Sequence, residues 1–109
     1  MERISEKQAW LLIADSFKIA YKRYDEKDFD CANDMRIKHG FCTALNCLYD
    51  DRKIDFEIRM AMGARIHQIT DKLNNQNPKR SHHSQIYSYN RTSCLLRSKL
   101  AEKFAKECN

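Results

Sequence analysis

SEKQAWLLIADSFKIAYKRY, residues 5–24, carries two independent marks of an α-helix. Ser5 is followed three residues later by Gln8, a pattern in which each side chain can satisfy the other's backbone N–H at a helix start. Trp10, Ile13, Phe17, Ala20 and Tyr24 then recur every three or four residues, which places them on one helical face. The spacing predicts a helix from near Ser5 to about Tyr24, apolar on one side and charged on the other.

The same reading extends along the chain. DEKDFDCAND, residues 25–34, is acidic and has no period, so it reads as a loop. A short helix is expected from Met35 or Gly40 to Asp50, with Ile37, Phe41, Leu45 and Leu48 on one face and Gly40 as a break before it. DDRK, residues 50–53, reads as a turn. Asp55 is a plausible N-cap for a third helix, in which Ile58, Met62, Ile66, Ile69 and Leu73 form the stripe. Gly63 and Ala64 sit in its middle, where small residues would let another helix approach closely. NNQNP, residues 74–78, ends it. A fourth helix is expected from Asn90 or Thr92, with Leu96, Leu100, Phe104 and Cys108 in line and Ala101 and Ala105 widening the stripe.

Four amphipathic segments in 109 residues imply an all-α fold, one compact bundle of about four helices in a single domain. Two glycines and one proline are few for a turn-rich β protein. QIYSY, residues 85–89, could at most pair as a short edge strand. The expected core is Trp10, Phe17, Phe41, Leu45, Ile66, Leu100 and Phe104.

No apolar run is long enough to cross a membrane, and MERISEKQAW has no apolar signal-peptide core, so a cytoplasmic protein is expected. In that compartment Cys31, Cys42, Cys47, Cys94 and Cys108 should be reduced and act mostly as small apolar side chains. His39 and Cys42 share a helical face, but no C-x-x-C pair exists, so neither a metal nor a cofactor is expected.

Charge is distributed unevenly. Residues 1–30 carry net −1, residues 31–75 net +1 and residues 76–109 net +5. The excess follows the third helix, in a basic loop ahead of the last one. NPKRSHHSQIYSYNR, residues 77–91, holds Lys79, Arg80, His82, His83, Tyr87, Tyr89 and Arg91, and Arg97 follows in the helix. Basic groups neutralise phosphate and tyrosine rings stack on bases, so these eight residues are the candidate ligand site. Lys99, Lys103 and Lys106 instead read as a solvated helix face supported by Glu102.

No glycine-rich phosphate loop, H-E-x-x-H or G-x-S-x-G occurs. Adjacent histidines on a polar loop are usually just solvated, so His82 and His83 do not by themselves make an acid–base pair. The helix–turn–helix order of residues 38–66 does not read as a DNA reader. Asp50, Asp51, Asp55 and Glu57 would meet phosphate where a recognition helix begins. A non-enzymatic protein is expected.

WLLIADSF (10–17) and GFCTALNCL (40–48) resemble segments of a widespread group of small phage-encoded proteins. Many of that group carry an aromatic segment such as Y-W-W or F-W-P before a last helix with an arginine. Here YSY (87–89) and Arg97 take those places. The resemblance implies an accessory phage protein that binds a host component, including parts of defence systems. It would either sequester an anionic ligand, a nucleotide signal or nucleic acid, or inhibit a host protein by contact. In the second case DEKDFDCAND could mimic nucleic-acid charge. A chain this small often completes a pocket only with a partner subunit, so a homodimer is expected.

Overall fold

A computed structural model describes residues 3–25, 40–76 and 91–108. These form four helices, α1 (Glu6–Asp25), α2 (Phe41–Asp50), α3 (Phe56–Gln76) and α4 (Arg91–Glu107), with no strand among the described residues. The all-α bundle is therefore the architecture. The QIYSY segment lies outside the described residues, as does the expected start of the second helix before Gly40.

Local chemistry sets the helix starts. The Ser5 backbone N–H donates to Gln8 Oε1 at 2.9 Å, and the Gln8 N–H donates to Ser5 Oγ at 3.1 Å. Both halves of the capping box are made. Asp55 Oδ1 accepts from the Ile58 N–H at 2.8 Å, the N-cap bond expected for α3. Helix α2 has no side-chain cap and opens from Gly40.

The α2 end is a Schellman closure. The Lys53 N–H donates to Leu48 O and the Arg52 N–H to Tyr49 O, each at 3.0 Å. Arg52 holds the left-handed position at φ 60° that glycine usually takes. Ile54, two residues on, is buried and joins the core, which the polar reading of this turn did not foresee. Lys53 O in turn accepts the Ile4 N–H at 2.8 Å, tying the start of the chain to the turn.

Helices α1 and α4 form the principal pair. Cys108 meets Glu6, Ser98 Oγ donates to Ala14 O at 2.9 Å, and Cys94 packs beside Ala20. Residue numbers fall on α4 as they rise on α1, so the pair is antiparallel. The buried residues include Ala9, Ala14, Ala20, Cys94, Ser98, Ala101 and Ala105. Small side chains let the two backbones approach closely, and this turns α4 from its expected face. Leu96 and Leu100 are half-buried, and Leu100 packs against the core from its edge rather than inside it.

The other expected core residues, Trp10, Phe17, Phe41, Leu45, Ile66 and Phe104, are buried. Phe41 is their hub. Its ring centroid lies 6.0 Å from Trp10 and 5.7 Å from Phe17, both edge-on, and 6.5 Å from Phe104. Edge-on approach sets the positive ring edge against the negative face of its neighbour. Trp10 and Phe104 lie closer, at 4.7 Å, with their rings tilted by 50°.

Candidate functional site

Of the eight residues singled out in the sequence, Lys79, Arg80, His82, His83, Tyr87 and Tyr89 lie outside the described residues. Arg91 opens α4, but its side chain also lies outside them. Arg97 can be placed, and it is not on the surface. Its exposure is 0%, and its guanidinium carbon sits 5.3 Å from the centre of the Phe17 ring. Gly40 makes the room for it. A Cβ there would stand 3.4 Å from Arg97 Cζ and Nη2, and Gly40 holds φ +85°. Arg97 thus lies inside the bundle, with its charge engaged there, rather than on a solvent-facing phosphate surface. The reason is rotational: the face of α4 bearing Cys94, Ser98, Ala101 and Ala105 turns Arg97 inward with it.

A polar knot closes the opposite end of the α1–α4 pair. Glu6 Oε2 accepts from Trp10 Nε1 at 3.0 Å, Arg65 Nε at 2.9 Å and the Cys108 thiol at 3.0 Å. Arg65 Nη1 also donates to Glu107 at 3.0 Å. Burial works to raise the Glu6 pKa. The hydrogen bonds from Cys108, Trp10 and Arg65 and the Arg65 charge outweigh it and hold the carboxyl below its ordinary range. Burial and the Glu6 carboxylate push the Cys108 thiol up to about 11. With three donors aimed at one half-buried carboxylate oxygen, this cluster fastens three helices together.

Two openings flank α3. A cleft of about 780 Å³ at the α2–α3 turn is lined by Arg3, Arg52, Asp50 and Glu57 beside Tyr49 and Phe56. Charges of both signs share it, so it has no net preference for an anion. The second opening is a groove of about 500 Å³ between α2 and α3, with Leu45, Met60, Gly63 and Ala64 lining it beside Asn46, Arg59 and His67.

No family model, curated protein or solved structure matches this chain.

The groove was only partly visible in the sequence. Gly63 and Ala64 were read as a place for a close helix approach. Apart from Gly63, its two chain neighbours and the helix's own nearby backbone, no described heavy atom lies within 4 Å of the position a Cβ on Gly63 would take. Arg59 was not singled out. Its Nη2 donates to Asn46 Oδ1 at 2.9 Å, and its guanidinium lies 5.2 Å from the Tyr49 ring centre. Its Nε is sealed from water without an acceptor, a condition that costs about 1–3 kcal/mol.

Other assignments can be placed directly. Lys99, Lys103 and Lys106 are exposed along α4, as expected of a solvated face. Cys94 is buried and Cys47 and Cys108 are half-buried, but Cys42 is exposed rather than a core residue; none of the four is in a disulfide. Among the described residues, no three of His, Cys, Asp and Glu come together as a metal-binding group. Cys31 and His39 lie outside them. No described helix is long and apolar enough to cross a membrane.

Proposed function

We propose that this is a small non-enzymatic binding protein of the phage-accessory kind, acting in the host cytoplasm as a homodimer. It sequesters an anionic ligand, a nucleotide signal or a nucleic acid, and by doing so counters host defence. One observation carries the reading: the whole positive excess falls in residues 76–109, in the loop ahead of α4 and in α4 itself. The fold adds support. The first turn of α4 carries no acidic residue, so the positive end of its dipole is unopposed. The antiparallel pairing sets that end beside the last turn of α1, which carries Lys22 and Arg23. Lys79, Arg80 and Arg91 are the phosphate contacts in this reading, His82 and His83 hydrogen-bond donors, and Tyr87 and Tyr89 stacking platforms. Arg97, buried beneath Phe17, supports the site from inside the bundle rather than touching ligand.

A single-stranded oligonucleotide and a cyclic dinucleotide are the probes that test it. Affinity for the oligonucleotide should fall as salt rises, with a log–log slope of about 0.7 per phosphate neutralised. Lys79→Ala with Arg80→Ala should weaken binding and leave the melting temperature unchanged. Lys103→Ala with Lys106→Ala is the control on a solvated face. Equal loss in the control, or no binding of either probe, sinks the reading.

Inhibition of a host protein by direct contact is the second reading. Phe56 and Met60 support it, being 58% and 54% exposed on the outside of α3.

A further inference from the structure

We propose that the groove between α2 and α3 docks an amphipathic helix of another protein, one whose apolar stripe is bordered by carboxylates. The inference rests on the second reading, contact with a protein, and uses no residue of the basic loop.

Gly63 is the first reason. A glycine inside a helix lowers its stability, and no described part of the fold packs where its side chain would be. Its neighbour Ala64 is exposed. Together they present a bare stretch of α3 backbone to an incoming helix. Met60, half-exposed and unbranched, adapts to whatever apolar surface arrives, and Leu45 provides the floor. Apolar residues spaced along a groove between two helices are the receiving half of helix-in-groove recognition.

The polar groups set the sign of the partner. Among the described residues the lining holds Arg59, His67 and Asn46 and no carboxylate. Arg59 is already braced by Asn46 and Tyr49, yet its Nε has no acceptor. A carboxylate at the groove edge pairs with the guanidinium that lines it. A second copy of this chain fits less well. Its two-fold contact would bring two arginine-lined grooves together without an acid from either.

A designed peptide of about 14 residues, with leucines every three or four positions and flanking glutamates, is the probe; its match carries lysine for each glutamate. Titrated into labelled protein, the glutamate peptide should shift the amides of Asn46, Gly63, Ala64 and His67 saturably. The lysine peptide should bind about ten-fold more weakly. Arg59→Ala should erase that preference. Gly63→Leu should abolish binding while the helical spectrum and melting temperature hold, since its Cβ meets open space. Three outcomes overturn the groove: equal binding of both peptides, no saturable shift, or a dimer that Gly63→Leu dissociates. Shifts confined to the Tyr49–Phe56 cleft also overturn it, but leave protein contact itself standing. An oligonucleotide moving the same groove residues would instead assign the site to nucleic acid.

Discussion

Arg52 and Gly40 occupy positive-φ positions, with opposite chemistry. Arg52 closes α2 from the left-handed region, where a β-carbon crowds the following carbonyl. Gly40 opens the same helix without that penalty and leaves space for a buried guanidinium. The two substitutions should therefore move stability in opposite directions. Arg52→Gly should stabilise by about 0.5–1 kcal/mol. Gly40→Ala should destabilise by about 1–2 kcal/mol, because a Cβ at φ +85° is strained and would come to contact distance of the buried Arg97. Chemical denaturation of both variants checks the pair, and a stable Gly40→Ala protein would mean that Arg97 does not need the space. The burial of Arg97 could not be read from its position in the sequence. An arginine two residues from Lys99 on an amphipathic helix looks like surface, and only the rotation of α4 against α1 turns it inward.

The Glu6 knot acts at the scale of the elements, since it ties α1, α3 and the end of α4 with one carboxylate oxygen. A carboxyl held below its ordinary range contributes stability above its unfolded pKa, 4.5, and loses that contribution as pH falls through the lowered folded value. Cys108 works the other way. Its thiol is raised from 9.0 to about 11, so its contribution is complete below 9.0 and is lost as pH rises towards 11. Denaturation midpoints followed against pH should show both arms, and Glu6→Gln should flatten the acid arm and lower the midpoint at neutral pH. The loss should be about 1.5–3 kcal/mol, the size of a hydrogen bond to a charged group. Cys108 should react with a thiol reagent near pH 8 far more slowly than exposed Cys42. Equal rates would mean that the knot is open in solution.

At the scale of the whole molecule, Phe41 joins the short helix α2 to the α1–α4 pair through three aromatic neighbours. Phe41→Ala should cost about 3–5 kcal/mol, a large share of the stability of a domain this size. Loss of the cooperative thermal transition is the expected result. A variant that melts like the parent would show that α2 is an accessory to the bundle. The described lining of the α2–α3 groove includes no residue of 77–91, so substitutions in one leave the other intact and measurable.

The sequence by itself determined the elements. Capping chemistry at Ser5 and Asp55 is local, and an apolar period of three to four residues can be satisfied only by a helix with one buried face. That is why three of the four helix starts, the fold class and most of the core were legible. Tertiary structure decided which face of α4 is buried, where Ile54 goes and what surrounds Gly63. Leucine has more apolar surface to bury than alanine or cysteine, yet the close α1–α4 approach admits the small residues and leaves Leu96 and Leu100 at the margin. Arg97 and Arg59 carry the same charge, but one is buried beside a glycine and the other lines a groove. Burial belongs to the distance between two helices, and no single segment encodes that distance.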